Sequence, residues 1–418
     1  MTICYLADFR SPIARNWIAY FAAGHRLHVL STHPAAPMAG VELHVLGRTV
    51  ADERGRRKAT LAGWVDPAGW TGRAAGWVQD HGVLPAQALR RAPAVRRLLA
   101  RLAPDLVHSL RIPSEGELGG LAGARPHLIS AWGNDFTLFA SRGWMHAWLT
   151  RRALEGCAGF LADAHADVVR ARRYGLPAGV PALVVPGAGG VDAKIFFPDS
   201  SRARTEWGGE LRPLANLPPG ARLVVNARGF RRYVRNDTFF AAAQRLAAAR
   251  RDVFFVGVGL RGWSPVERMV ERLGIGPRVL LTGGLRQDEL AQLHQQPGVM
   301  VSPTEHDGTP NTLLEAMACG AVPVCGDLPS LREWIDDGVN GLLVPAGCPE
   351  QLAKAIGRAL DDGALAARAR QRNPVIVAER GEYESSMALA AAFYEKVLRP
   401  ERATVAVGLD LQAREVRL

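Results

Sequence analysis

The sequence contains only five cysteines in 418 residues, and Cys4, Cys157, Cys319, Cys325 and Cys348 include no CxxC pair. An odd number without that spacing argues against a disulfide framework and against a cysteine zinc site. Long apolar runs are also missing: none approaches the ~18 residues that a membrane span requires. The opening MTICYLADFR has no basic stretch ahead of its apolar residues and meets Asp8 and Arg10 too early for a signal peptide. A reducing cytoplasm is the expected compartment.

What is present begins with charge. Lys and Arg exceed Asp and Glu by 11, which calls for anionic company of some kind: nucleic acid, anionic lipid or a phosphorylated small molecule. Much of the excess lies in ADERGRRKATLAGWVDPAGWTGRAAGWV and ALRRAPAVRRLLARL. In the latter, Arg90, Arg91, Arg96, Arg97 and Arg101 border an apolar stripe of Leu89, Val95, Leu98, Leu99 and Leu102. One reading is peripheral contact with an anionic membrane at its inner face, with Trp64, Trp70 and Trp77 as interfacial anchors; the other is a solvated helix with a buried stripe. Nucleic acid is not expected, because the basic residues are not interleaved with stacking aromatics in a recognised module.

Strand-loop-helix units repeat along the chain. ICYLA, LHVLS, DLVHS, HLISA, GFLAD and ALVVP are short apolar strands, and strands of that kind alternating with helices predict a parallel sheet covered on both faces. The pattern breaks into Pro and Gly between Pro198 and Ala221, then restarts with RLVVN, VFFVG, RVLLT, VMVSP and VPVCG. The predicted architecture is α/β with two Rossmann-like, doubly wound domains: residues 1–205, a linker over 206–220, and 221–384. A last helix near 385–400, with Met387, Ala391, Tyr394 and Leu398 at helical spacing, packs back on the first domain, and 401–418 form a tail. Ligands of such sheets bind at the carboxyl ends of the strands, in a cleft between the domains.

The stretch TEHDGTPNTLLEAMACG follows VMVSP and runs from a polar turn into an apolar helix. Pro310 fits the first helical position with Thr309 as its cap. The amides of Gly308, Thr309, Asn311 and Thr312 then point into the cleft at the positive end of a helix dipole, a site for an anion or for sugar hydroxyls. Asp307 sits at the mouth. Glu315, beside Leu313, Leu314, Ala316 and Met317, is a carboxylate whose apolar neighbours demand a hydrogen-bonding partner; the vicinal hydroxyls of a ribose would provide one.

The segment DGTPNTLLEAMACGAVPVCGDLPSLREWIDDGVNGLLVP resembles the carboxylate signature of the retaining GT-B glycosyltransferases of family 4, in which seven residues separate two acids ahead of an LEAMA helix. PGAGGVDAKIFFP resembles that family's segment before the interdomain linker, and RLVVNARGF its phosphate-binding loop. The resemblance implies a GT-B fold and transfer of a sugar from a nucleoside diphosphate sugar, with retention and without a metal or other cofactor. Glu315 would hold the ribose and Asp307, in place of the usual Glu, the donor sugar. Arg228 would neutralise the leaving diphosphate. The family's following Lys is absent from GFRRYVRND, where Arg231, Arg232 or Arg235 could substitute and Arg235, just before a helix, is the choice. No DxD metal motif is present. Gly283 and Leu285 would lie near the base.

On the acceptor side, DLVHS and SAWGND end strands, and WGND resembles segments of members that build bacterial surface polysaccharides. Asp135 or His108 would orient or deprotonate the acceptor, a glycan or lipid-linked molecule. Trp132 and Asn134 flank that position, and Ser11, Arg15 and Asn16 belong to the loop that replaces a glycine-rich one. GVGLRG, a literal GxGxxG, is read as lying in the third unit of its domain rather than after a first strand, with no acid ending the next strand, so a nicotinamide role is not expected. The alternative to an enzyme is a catalytically inactive relative that binds nucleotide sugars.

Overall fold

The computed structural model describes residues 1–46, 84–198, 217–296 and 298–399. Trp64, Trp70, Trp77, the tail and most of the proposed linker lie outside them. Seven strands build a first sheet: β1 (Thr2–Leu6), β2 (Arg26–Ser31), β3 (Val41–Val45), β4 (Leu106–Ser109), β5 (His127–Ala131), β6 (Gly159–Ala162) and β7 (Ala182–Val184). They lie in the order β3-β2-β1-β4-β5-β6-β7, every pair parallel. Six more, β8 (Arg222–Asn226), β9 (Val253–Gly257), β10 (Val279–Leu281), β11 (Gly298–Ser302), β12 (Val322–Gly326) and β13 (Leu342–Val344), form a second sheet in the order β10-β9-β8-β11-β12-β13, again all parallel. The direction of winding reverses between β1 and β4 in the first sheet and between β8 and β11 in the second. A crevice opens at such a switch point, which is why the site is sought just beyond those four strands.

Each sheet carries its own apolar layers. Val224, Phe239, Phe240, Phe255, Val301, Val324 and Ile356 pack together in the second domain, and Ile3, Tyr5, Trp17, Ile18, Leu106 and Leu128 in the first. The helix Leu84–Leu102 turns Val95 and Leu99 into a cluster with Cys4, Leu6, Leu30 and Val107, and Leu98 and Leu102 pack on its rim. Most of its apolar stripe is therefore domain core and not a membrane-facing surface; Leu89 alone of the five is exposed. All five cysteines are free.

The helix Gly363–Arg380 packs Leu365 and Ala369 on the second domain, and the chain then crosses back. Val191 and Tyr383 exchange backbone hydrogen bonds with Gly381 and Val191 at 2.8 and 3.0 Å, which ties the outgoing and returning segments together. Gly190 is left-handed there, and a Cβ on it would stand 2.4 Å from the Gly381 carbonyl oxygen, so no larger residue fits. The last helix, Tyr383–Leu398, buries Met387, Ala390, Phe393 and Tyr394 in the first domain. Tyr394 accepts from Trp17 Nε1 at 3.0 Å and stacks on Phe21 with centroids 4.7 Å apart.

Candidate active site

Beyond β11 the chain loops through Thr304 to Pro310, and the helix Asn311–Ala318 begins one residue later than the sequence predicts, with Pro310 extended in front of it. Thr309 does not cap this helix. Its hydroxyl donates to the Asp163 carbonyl in the other domain and accepts from Trp334 Nε1 at 3.0 Å. The Gly308 amide is turned toward its neighbour's Asp307 carboxylate, while the amides of Asn311 and Thr312 have no partner among the described residues.

Arg228 leaves the end of β8 and reaches across to β11's loop, where it pairs with the Asp307 carboxylate and donates to Thr312 Oγ1 at 3.3 Å. Burial raises the Asp307 carboxyl above its ordinary value, and Arg228 and the Gly308 amide pull it back. Glu315 sits behind this pair. Burial pushes its carboxyl up to about 7, opposed by Arg228. Its Oε2 and the Arg228 Nε are buried without a hydrogen-bond partner among the described residues. Unmade bonds of this kind cost roughly 1–3 kcal/mol each; a ligand presenting hydroxyls to Glu315 and anionic oxygens to Arg228 would complete both.

The second cation departs from the sequence reading. Arg235, in the left-handed region at φ 58°, is held by Asp237 at 2.9 Å and by Glu305, so its charge is already matched by two carboxylates. Arg231 and Arg232 remain exposed on the same loop. Two glycine turns flank Arg228: the Gly259 amide donates to the Gly283 carbonyl at 3.1 Å, and Gly259, left-handed at φ 72°, lies in ordinary van der Waals range of Gly229. Gly283 is exposed and Leu285 half-buried beside them. GVGLRG thus forms a wall of this crevice, followed by a helix whose start, at Ser264, has no side-chain cap.

The first domain meets this loop directly. Asp163, just past β6, accepts from the Gly133 amide at 2.8 Å. Its carboxyl is raised by burial and by the neighbouring Asp167. Gly308 lies against it, and a Cβ there would fall 2.2 Å from Asp163 Oδ1. A second bridge is made by Glu333, whose carboxylate accepts the His165 and Ala166 amides at 2.9 and 2.8 Å, at the start of the helix His165–Arg173. Gly308→Ala is expected to push the domains apart and enlarge the radius of gyration in small-angle X-ray scattering. Asp163→Gly in the same chain should reverse the change, since it removes the atoms that clash.

Two acceptor-side expectations are corrected. His108 is fully buried, with Nδ1 2.5 Å from Tyr394 Oη and Nε2 2.8 Å from Ser130 Oγ, and burial drives its pKa down to about 3. It is a core histidine. Asp135 accepts from Arg111, from the Ile112 amide at 3.0 Å and from the Trp132 amide at 3.2 Å, so its carboxylate fastens the loop and has little capacity left for an acceptor. Asn134 accepts from the same Arg111 at 3.1 Å, and Trp132 packs near Trp17. Ser11 caps the helix Pro12–Phe21, Arg15 donates to the Ala36 and Pro37 carbonyls, and Asn16 is exposed while its carbonyl accepts from Tyr383.

Residues 222–362 match the family described as "Glycosyl transferases group 1", and residues 73–163 match "Glycosyl transferase 4-like". Together these matches take in more than half of the chain, one in each domain. The chain belongs to the GT-B glycosyltransferases of family 4. Among curated relatives of this family 4 member, a D-inositol 3-phosphate glycosyltransferase from Streptomyces bingchenggensis is 27% identical over 55% of the chain and 51% of its own length. A 2-deoxystreptamine glucosyltransferase from Streptomyces kanamyceticus is 29% identical over 43% of the chain and 45% of its own length. The chain therefore spans about half the length of the curated relatives it matches. In fold, it is similar to a sucrose-phosphate synthase from Thermosynechococcus elongatus (TM-score 0.74, 18% identity, 96% of this chain and 100% of that one). Anabaena HepE in complex with UDP-glucose is also similar (TM-score 0.68, 16% identity, 95% and 100%).

Several residues of the candidate site in this family 4 member carry no local sequence signal. Glu115 follows β4 in the turn Ile112–Gly116, accepts the Asp8 amide at 3.1 Å, and is pushed by burial up to about 8. Arg111, Asp163 and Glu333 act through partners in other elements. Glu115 lies six residues past the end of β4 and Glu333 is 168 residues from His165, so neither is marked by a strand end or a neighbouring motif.

Proposed function

We propose that the chain is a retaining, metal-independent glycosyltransferase that moves a sugar, a hexose in the first instance, from a nucleoside diphosphate sugar to a glycan or lipid-linked acceptor in cell-surface polysaccharide or glycoconjugate biosynthesis. The observation that carries this reading is Glu315: a buried carboxyl with an unpartnered oxygen, behind the Arg228–Asp307 pair and under the free amides that open the helix Asn311–Ala318. Vicinal ribose hydroxyls fit the carboxylate. Arg228 and the amides of Asn311 and Thr312 stand where negative charge would develop on a departing diphosphate, and charge stabilisation of that kind is commonly the largest catalytic term. Asp307 would take donor-sugar hydroxyls. On the acceptor side, Glu115 replaces His108 and Asp135 as the group whose proton affinity lies near neutrality, the range suited to general acid–base work.

Solved neighbours include HepE in complex with UDP-glucose and a pneumococcal O-GlcNAc transferase in complex with UDP and GlcNAc, which makes UDP the first nucleotide to try. The name of another neighbour, WaaG, is given with lipopolysaccharide biosynthesis, in keeping with the surface-polysaccharide reading. Among the described residues no helix is long and apolar enough to cross a membrane. We place the protein in the cytoplasm with peripheral contact to the anionic inner membrane face, supported by the net charge of +11 and by exposed Trp144 and Trp148 on a helix that also carries Arg151 and Arg152.

The test is a thermal-shift panel of UDP, GDP, ADP and NAD on the wild type and on Glu315→Ala, followed by assay with the matching nucleotide sugar. Ligand at ~100 times its dissociation constant adds about 2.7 kcal/mol to stability. One nucleoside diphosphate is expected to raise the midpoint of the wild type and to fail on the variant. Binding without turnover across sugars and acceptors would support the inactive relative; stabilisation by NAD alone would overturn both readings.

A further inference from the structure

The edge of the first sheet, away from the cleft, holds a second cluster of chemistry-bearing side chains. His28 on β2 lies directly opposite Glu42 on β3, and His44 follows Glu42 by two residues, so all three project from one face. His28 Nδ1 and His44 Nε2 stand 3.2 Å apart. The Glu42 carboxylate reaches both, with Oε2 3.4 Å from His28 Nδ1 and Oε1 3.5 Å from His44 Nε2. Tetrahedral zinc bonds to nitrogen and oxygen at about 2.0–2.2 Å, which sets neighbouring ligand atoms roughly 3.3–3.5 Å apart. The two nitrogen–oxygen separations fall within that range, each to a different oxygen of the carboxylate, and the nitrogen–nitrogen separation is just short of it.

We infer that His28, Glu42 and His44 form a binding site for a divalent transition-metal ion, with zinc the best fit to two imidazoles and one carboxylate. The two ring nitrogens and the carboxylate oxygens approach one another within 3.5 Å, and the carboxylate supplies negative charge, the combination that borderline-soft cations select. His28 is buried to 1% exposure, while the side chains of His44 and Glu42 are 21% and 56% exposed. The site is therefore rigid on its inner side and open on its outer one, where the ion would enter and keep a water as fourth ligand. Arg26 stands 4.0 Å from Glu42 on that outer side and is the one competing cation placed there among the described residues. The ion would pin edge strand β3 to β2. An edge strand without a further partner is the part of a sheet most prone to fray or to pair with another chain.

The experiment uses the full chain, stripped with a chelator and titrated with zinc sulfate by calorimetry, with the thermal midpoint read in parallel. One equivalent is expected to bind and to raise the midpoint, and cobalt(II) should give the intense visible absorption of a tetrahedral site. His44→Ala and Glu42→Gln, chosen because both side chains reach the surface and their loss leaves the core intact, should each weaken binding by about tenfold or more. No saturable binding to the folded wild type would overturn the inference and leave the trio as an internal hydrogen-bonded cluster. Undiminished binding in both variants would overturn it equally, by placing the ion elsewhere.

Discussion

A Glu315→Ala variant is expected to keep its fold and to lose nucleotide-dependent stabilisation, with turnover reduced by roughly 10²-fold or more. Each hydrogen bond to a charged group contributes about 1.5–3 kcal/mol, and two ribose hydroxyls on one carboxylate together account for that loss. The fold survives because the buried carboxyl is itself a burden. Its pKa in the free protein is about 7, against an ordinary 4.5, so the folded state holds a proton that the unfolded chain releases. The stability this proton contributes is complete below pH 4.5 and is lost as the pH rises through 7. At about 1.4 kcal/mol per unit, the window spans roughly 3 kcal/mol. Glu315→Gln, which cannot ionise, should therefore gain on the wild type between pH 4.5 and 7 in thermal denaturation without ligand. Nucleotide binding gives the complementary signature. A diol donates to the ionised form, so binding should release a proton near pH 6, and affinity should climb with pH until about 7 and then level off. Calorimetry in buffers of different ionisation enthalpy checks this, and an unchanged affinity profile in Glu315→Gln would sink the ribose assignment.

Arg228→Ala is the more damaging change, because it acts on stability and on chemistry at once. It leaves the Asp307 carboxylate buried without its cation, and breaking a buried pair from one side destabilises by about 3–5 kcal/mol. It also removes the guanidinium aimed at the leaving group, for which a loss of about 10²–10³ in turnover is the usual scale. The double variant Arg228→Ala/Asp307→Asn separates the two effects: urea denaturation should show most of the stability restored, while turnover stays low. Arg228→Lys should retain the pair but not the fork that holds both Asp307 and Thr312. Recovery of turnover together with stability in the double variant would remove Arg228 from the reaction.

The sequence discloses the sheets more readily than the edges. Strands such as ICYL and VFFVG are covered on both faces and read as unbroken apolar runs. VELHV does not: it is the edge strand β3, partly exposed along its length, and neither it nor the three-residue β13 stood out. That omission also hid the His28–Glu42–His44 cluster, which exists only once β3 is laid beside β2. At the cleft, Asp307, Glu315 and Arg228 could be placed because each is fixed by a local strand end or helix turn. His108 and Asp135 were also strand-end polar residues, but their orientation is set by Tyr394, 286 positions away, and by Arg111, 24 positions away. A polar residue at the end of a strand marks a neighbourhood; which way its side chain turns is decided by packing that the local sequence does not contain.

The return of the final helix to the first domain has a consequence for biogenesis. Ala182–Val184 completes the first sheet, yet the groove around Trp17 and Phe21 is filled by Tyr394 and Phe393 from the far end of the described chain. A ribosome adding 5–20 residues per second needs roughly 10–40 s to travel between those points. During that interval the whole second domain can fold while the first still exposes an apolar slot. The half of the protein made first is thus the half that finishes last, and a premature stop between Arg380 and Tyr394 damages the first domain while sparing the second.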